Sequence, residues 1–278
     1  MKQVLSGGFA GWRWYLRPPT TLRLIDWNIE QGLQLPKIID FLASQNADIL
    51  TLQEVDLNAR RTGCRNIAEE IARQLKLEYA FGREFQELSQ GSRASPAYTG
   101  QATLSRWPLV KSRVIRFSSQ SRFWLPRWYK VNLPLFQERM GERIALVNEI
   151  DAGGRPLLVF NVHLESRGDD DLRLAQLREI LAEAAKYPAS MAALIAGDMN
   201  LDVSCKGADM VIRPAGFREI ASLPRAATTV RKGFSPGRRI DSILIRDGFA
   251  SRDGRIHNRV VASDHFPLSC TVSVIGPS

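Results

Sequence analysis

The sequence predicts an α/β (α+β) protein built on mixed β-sheets, and three observations predict it. The apolar segments 144–150 and 156–162 flank Gly153-Gly154, the signal of an antiparallel hairpin. Other apolar segments are separated by stripes of helical period, such as Ile67, Ile71 and Leu75. The composition is that of an ordinary globular chain, 44% hydrophobic and 24% charged over 278 residues, long enough to bury a large core. Strands joined both by turns and by helices imply sheets that mix antiparallel and parallel pairs.

Taken in order, residues 1–20 read as a loosely attached leader ending in Pro18-Pro19, and 21–278 as one domain without repeats or linker. Residues 22–27 alternate as a strand. Pro36 opens a helix through Ile38, Ile39 and Leu42, proline being tolerated in a first turn. Strands follow at 48–52 and 101–104, with the Ile67 helix between them. The stretch 105–140 reads as irregular, basic and aromatic. After the hairpin, Leu174, Leu177, Leu181 and Ala184 mark an amphipathic helix. Segments 191–196, 240–245 and 266–274 are the remaining strands.

Several classes are excluded at once. Cys64, Cys205 and Cys270 are too few and too scattered for a disulfide framework or a zinc site. Glycines and Trp12-Arg13-Trp14 break the N-terminal apolar stretch, so neither a signal peptide nor a membrane span is expected. A cytoplasmic protein is the expectation. The net charge of +9 and pI near 9.8 favour a polyanionic partner, nucleic acid or an anionic membrane surface.

The informative pattern is a repeated one. Apolar strands end in acidic, amide or imidazole residues six times: Asp26-Trp27-Asn28-Ile29-Glu30, Gln53-Glu54-Val55-Asp56, Asn161-Val162-His163-Leu164-Glu165, Gly197-Asp198-Met199-Asn200, Arg239-Ile240-Asp241-Ser242 and Ser263-Asp264-His265. A lone Asp or Asn after a strand is usually a cap or turn residue. Six such clusters are what a rigid scaffold needs to present chemistry at one rim. Oxygen donors without paired thiols suit a hard cation, Mg²⁺ or Mn²⁺. Such a cation neutralises a phosphate oxygen and stabilises a departing alkoxide. Hydrolysis also needs a positioned base. Asp198 and His265 both qualify, and Asp241 is the available carboxylate to orient His265.

These motifs, in this order from 22 to 270, resemble the endonuclease/exonuclease/phosphatase superfamily, the DNase I-like enzymes. The resemblance implies a four-layer α/β sandwich, two mixed sheets face to face with helices outside. It implies a divalent-metal-dependent hydrolase of phosphate esters, with Glu54 as principal metal ligand, Asn28 beside it and Asp264 as a further carboxylate. Asp198 would orient or deprotonate the attacking water, Asn200 would hydrogen-bond phosphate or that water, and His163 would donate to a phosphate oxygen or the leaving group. His265, held by Asp241, would be base or transition-state stabiliser. Asn161 and the pair Arg60 and Arg61 are expected as substrate contacts.

Substrate choice rests on the 106–143 segment. Arg106, Lys111, Arg113, Arg116, Arg122, Arg127, Lys130, Arg139 and Arg143 interleave with Trp107, Phe117, Phe123, Trp124, Trp128, Tyr129 and Phe136. Cations neutralising successive phosphates, with rings stacking on bases, describe a nuclease. The same residues describe a membrane-associated, phospholipase C- or sphingomyelinase-like phosphodiesterase whose aromatic tip enters a bilayer. A phosphatase of small phosphate esters is the third alternative, and the nuclease is the expectation.

Overall fold

A computed structural model of the chain describes residues 4–11, 18–125, 137–230 and 236–274. The first sheet contains β1 (Val4–Gly8), β2 (Thr21–Gln31), β3 (Ile49–Leu57), β4 (Glu78–Glu87), β5 (Ala97–Ser105), β7 (Arg139–Gly141), β13 (Ser251–Ile256) and β14 (Leu268–Ser273). The second contains β6 (Leu109–Arg116), β8 (Ile144–Asp151), β9 (Pro156–His163), β10 (Ala192–Asp198), β11 (Phe217–Glu219) and β12 (Asp241–Arg246). The eight-stranded sheet runs β1-β4-β5-β3-β2-β14-β13, with β7 also on β4, and the six-stranded sheet runs β11-β12-β10-β9-β8-β6. Each is mixed as expected: β2 pairs parallel with β3 and β10 parallel with β9, while the other described pairs are antiparallel.

Three apolar clusters correspond to the three interfaces of a four-layer sandwich. Between the sheets, Leu22, Leu24, Ile49 and Leu268 of the first meet Leu157, Val159, Leu194 and Ile243 of the second. Outside the first sheet, α1 (Leu35–Gln45) and α2 (Ile67–Leu75) bury Ile38, Leu42, Ile67 and Ile71 against Ile25, Trp27, Leu50 and Leu52. Outside the second, α3 (Asp170–Ala184) and α4 (Lys206–Ile212) bury Leu174, Leu177, Leu181, Ala208 and Ile212 against Val147, Phe160 and Ile195. Side-chain caps begin α2 and α3. Asn66 accepts from the Glu69 N–H and Asp169 from the Leu172 N–H, each capping an otherwise unpaired donor. Among the described residues, no helix is long and apolar enough to cross a membrane.

Two expectations are corrected here. Residues 4–8 are not a loose leader, because they pair antiparallel with residues 78–82 at the sheet edge. Residues 109–116 are not irregular either, because they form β6 on the edge of the second sheet. Its alternation of Lys, Arg and Val on a half-exposed edge carries no strong apolar signal, and cationic edge strands are common because they resist further pairing.

Candidate active site

The rim is assembled from both sheets, and the second sheet supplies three side chains by register alone. Asp198 closes β10, where its Cα partners are His163 at the end of β9 and Asp241 at the start of β12. Directly paired residues on adjacent strands share a face and stand about 5 Å apart. The close approach of β10 to β9 explains Gly197, whose φ is 147°. A Cβ there would lie 1.9 Å from the Val162 carbonyl oxygen. The turn that follows is left-handed at Asn200, φ 49°, a conformation asparagine tolerates. It lets the Asn200 N–H donate to Asp198 Oδ1 at 2.9 Å, while Asn200 Nδ2 donates to the Leu164 carbonyl at 3.1 Å.

His265 arrives on the segment before β14. Its Nδ1 bonds both carboxylate oxygens of Asp241 at 2.9 Å, and its Nε2 lies 3.8 Å from Asp198 Oδ2. Two contacts fix this segment to β2, Ser263 Oγ donating to the Asn28 carbonyl at 2.7 Å and Trp27 Nε1 donating to the His265 carbonyl, and within the segment the His265 N–H donates to Ser263 Oγ. Thr228 Oγ1 accepts from the N–H groups of Ile240 and Asp241 and sets the other carboxylate. His163 Nε2 is 3.4 Å from Asp198 Oδ2, and its buried Nδ1 has no partner among the described residues.

The first sheet contributes from irregularities. The β2–β3 register shifts between Asn28 and Gln31, and the β3–β5 register shifts between Leu52 and Val55. Bulges of this kind re-aim side chains beside sites. Glu54 sits on one with φ 50°. Its carboxylate is half-buried and accepts from Gln31 Nε2. Asn28 is buried and reaches across the sandwich, with Nδ2 3.3 Å from Asp198 Oδ2. Asp264 is half-buried beside His265.

Electrostatics separates the groups. Burial pushes Asp198 up to about 6, helped by the nearby Asp241 carboxylate and opposed by His265. Burial opposes the charge on His265, but Asp241, Asp198 and Asp264 outweigh it and raise the imidazole to about 10. His163 moves the other way, well below its ordinary value, because it is buried and feels Arg143, His265 and Arg139. At neutral pH the site therefore holds a carboxylate, an imidazolium and a neutral imidazole within contact of one another.

Asp198, Asp241 and His265 offer ligand atoms within 4.8 Å of one another. His265 Nδ1 is already committed to Asp241, which leaves Nε2 as the ring nitrogen this histidine can offer to another partner. The half-buried oxygens of Glu54 and Asp264, with the Asn28 amide, are donors that fit a hard cation. The described thiols are exposed at Cys64 and Cys205 and buried at Cys270, apart from this set.

Other expected residues lie elsewhere or are already engaged. Asn161 is fully buried, gives both amide hydrogens to the Leu52 and Ala102 carbonyls, and accepts from Gln53 Nε2. It ties the two sheets together and is corrected from a substrate contact to a structural one. Arg61 is corrected likewise: it is clamped by Asp56, Glu87 and Thr99. Arg60 is exposed and donates to the Ser89 carbonyl.

The basic segment is also mostly spoken for. Arg106 pairs with Asp48, Lys111 with Glu149, Arg113 with Glu183, Arg116 with Glu142, Arg139 with Glu87 and Arg143 with Glu84. Trp107 and Phe117 are core residues. Arg127, Trp128, Tyr129, Lys130 and Phe136 lie outside the described residues. Of the segment's described rings only Phe123 is exposed, which gives the bilayer reading no support.

The sequence reading missed a buried polar layer beneath the rim. Asp26 Oδ1 accepts from Thr51 Oγ1 and Gln53 Nε2. The signal was present: Thr51 and Gln53 are polar at alternate positions, on one face, where β3 is otherwise apolar from Ile49 to Leu52.

A two-sheet sandwich whose strand ends gather carboxylates, amides and imidazoles at one rim is the framework of a phosphoester hydrolase. The model of the Endonuclease/Exonuclease/phosphatase family matches residues 27–265, and the chain belongs to that family. No curated protein sequence matches significantly. Solved structures share the fold. An endonuclease/exonuclease/phosphatase from Beutenbergia cavernae is 17% identical with a TM-score of 0.66, over 93% of this chain and 72% of that one. D. rerio TDP2 complexed with a single-strand DNA product is 18% identical with a TM-score of 0.64, over 92% of this chain and 100% of that one. TDP2 from C. elegans is 20% identical with a TM-score of 0.59, over 91% and 75%.

Proposed function

We propose that the protein is a divalent-metal-dependent phosphodiesterase acting on nucleic acid. The observation that carries this is the geometry of the rim: Asp198 Oδ2 lies 3.8 Å from the Nε2 of a His265 bonded through Nδ1 to Asp241, and 3.4 Å from His163 Nε2, an arrangement that favours the Asp198 carboxylate above about 6 and the His265 cation up to about 10. Pairs of groups whose environments push their pKa values apart identify acid and base roles. Asp198 is then the group that orients and deprotonates the attacking water. His265, fixed by Asp241, is not the base but a cation that stabilises charge developing on the phosphate. His163, neutral, donates a hydrogen bond to a phosphate oxygen, and the remaining amide hydrogen of Asn200 does the same. Glu54, Asn28 and Asp264 would hold Mg²⁺ or Mn²⁺, which when bound neutralises phosphate charge.

Nucleic acid as substrate is supported by the net charge of +9 and by a shared fold with a protein solved with single-strand DNA product. The test is hydrolysis of bis(p-nitrophenyl) phosphate and of single-stranded, double-stranded and abasic DNA and RNA, with Mg²⁺ or Mn²⁺ and with chelator. Metal-dependent cleavage of the small diester and of at least one nucleic acid is expected. Turnover of the small diester without cleavage of any nucleic acid would overturn the substrate, and chelator-resistant turnover would overturn the metal.

A further inference from the structure

Of the described arginines in and around the 106–143 segment, most are matched to carboxylates, but Arg122 and Arg167 are not, and of these two Arg167 is the one held against aromatic rings. Among the described residues it makes no ion pair, and it is exposed. Its guanidinium instead lies 4.9 Å from the ring centre of Phe123 and 5.9 Å from that of Trp124. The two rings meet edge to face at 4.6 Å and 81°. Phe123 is 43% exposed, so a large apolar ring faces water beside a cation without a carboxylate partner.

Both halves of this arrangement are fixed. Gln120 exchanges hydrogen bonds with the Arg143 backbone, and the Trp124 carbonyl accepts from Gln137 Nε2 at 2.9 Å. Ser118 and Ser119 donate backbone N–H groups to Glu179 on α3. On the other side, Arg173 of α3 donates to the Glu165 and Gly168 carbonyls and holds the turn carrying Arg167. The arrangement also adjoins the rim. Arg167 follows His163 by four positions in the chain. Between them Ser166 Oγ accepts from Arg143 Nη2 at 3.0 Å, and the Arg143 charge is felt at His163 and Asp198.

We propose that Phe123, Trp124 and Arg167 form a stacking subsite for an unpaired nucleobase flanking the scissile phosphate, on the His163 side of the site. The inference rests on the nucleic-acid reading above and narrows it to single-stranded or frayed substrate. A base is planar, apolar on its faces and attached to an anionic phosphate. An exposed phenyl ring receives the face, and a guanidinium lying over that ring is placed to donate to the phosphate. Every base has a stacking face, so the subsite is tolerant of sequence but needs a base free of its duplex partner.

The experiment compares the wild type with Phe123→Ala, Phe123→Tyr and Arg167→Ala. Binding of a fluorescent oligothymidine is read by anisotropy in chelator. The ratio of kcat/KM for the oligonucleotide to that for bis(p-nitrophenyl) phosphate is read with Mg²⁺. Phe123→Ala and Arg167→Ala are expected to weaken oligonucleotide binding about tenfold and to lower the ratio similarly, while Phe123→Tyr restores both. An unchanged ratio in Phe123→Ala, with the wild type still cleaving oligonucleotide, overturns the subsite alone. A wild type that hydrolyses the diester but neither binds nor cleaves oligonucleotide overturns the subsite together with the nucleic-acid reading. Phosphatidylserine vesicles that bind the wild type and release Phe123→Ala, with oligonucleotide binding unaffected, would reassign the ring to a lipid surface.

Discussion

In the second sheet His163, Asp198 and Asp241 are in-register neighbours on three adjacent strands, whereas in the first Asn28 and Glu54 stand where the ladder slips. The registered half is deeply buried, and its groups shift one another's protonation. On the slipped half Glu54 lies half in solvent. Register places charges side by side without adjustable backbone, which suits groups whose value lies in their coupling. A bulge turns a carboxylate outward into a position where water and a cation can reach it. On the proposed roles, proton chemistry falls to the registered carboxylates of the second sheet together with His265, which the segment before β14 brings over from the first, and cation holding to the bulged strands of the first, so substitutions in the two groups should fail in different ways.

The largest effect is expected in the registered half. Asp198→Asn should lower kcat on bis(p-nitrophenyl) phosphate about 10³-fold, the usual value of a positioned base. The same change should stabilise the fold. Because burial raises the folded pKa to about 6 from 3.8, the ionised group costs stability above about 6. That cost disappears as pH falls through 6 toward 3.8. Thermal denaturation at pH 8 should therefore show a higher Tm for Asp198→Asn than for wild type, and the difference should close at pH 4. An equal Tm at both pH values would mean that Asp198 is not strained in the folded state.

Asp241→Asn comes next. It removes the carboxylate that does most to raise the His265 value, so the imidazolium is lost at lower pH. Turnover at pH 8 should drop about 10²-fold, with less loss at pH 6, moving the alkaline limb of the pH–rate profile downward from near 10. The sign carries over to stability. The His265–Asp241 contribution is whole below the ordinary 6.5 and is lost as pH rises through about 10. Wild type should therefore lose Tm between those values, and Asp241→Asn should lose less, since Asp198 and Asp264 still raise His265. A pH profile of unchanged shape in the variant would sink the coupling between the two groups.

On the bulged half, Glu54→Gln should leave the acidic limb near 6 in place and raise the Mg²⁺ concentration for half-maximal rate by about 100-fold. A Mg²⁺ titration of the diesterase rate separates this from the first two changes. A shifted acidic limb with unchanged Mg²⁺ requirement would mean that the two sheets do not divide their work in this way.

How far the sequence reveals this division depends on the kind of constraint. The strand ends were legible because polar groups abruptly terminate apolar runs, as in Ile195-Ala196-Gly197-Asp198, and a sheet has few reasons to do that repeatedly. The two-sheet order was legible only through the family resemblance. β4 and β6 are long strands with charged residues interspersed, and periodicity alone left both unmarked. The basic segment misled because composition cannot tell a solvated arginine from a paired one. Arg113 finds Glu183 and Arg143 finds Glu84, partners 70 and 59 positions distant. Arg167 escaped notice for the converse reason: nothing in its local sequence distinguishes it, and its role depends on rings brought beside it from the other end of the β6–β9 region.

The smallest effect on catalysis, and the sharpest check on the boundary between the halves, belongs to Asn161. It sits two positions before His163 on the same face of β9, but its amide crosses to the Leu52 and Ala102 carbonyls of the first sheet. Truncation leaves two buried acceptors unpaired, which costs about 1–3 kcal/mol for each. In a chain of this size each kcal/mol lowers Tm by about 2–4 °C. Asn161→Ala should thus melt several degrees lower, while KM for bis(p-nitrophenyl) phosphate stays within about twofold of wild type below the new transition. A raised KM with an unchanged Tm would return Asn161 to the substrate. Loss of both together would mean that the bridge between the sheets also sets the spacing of Glu54 from Asp198, so that the two halves of the rim are held in alignment by a residue that touches neither the phosphate nor the cation.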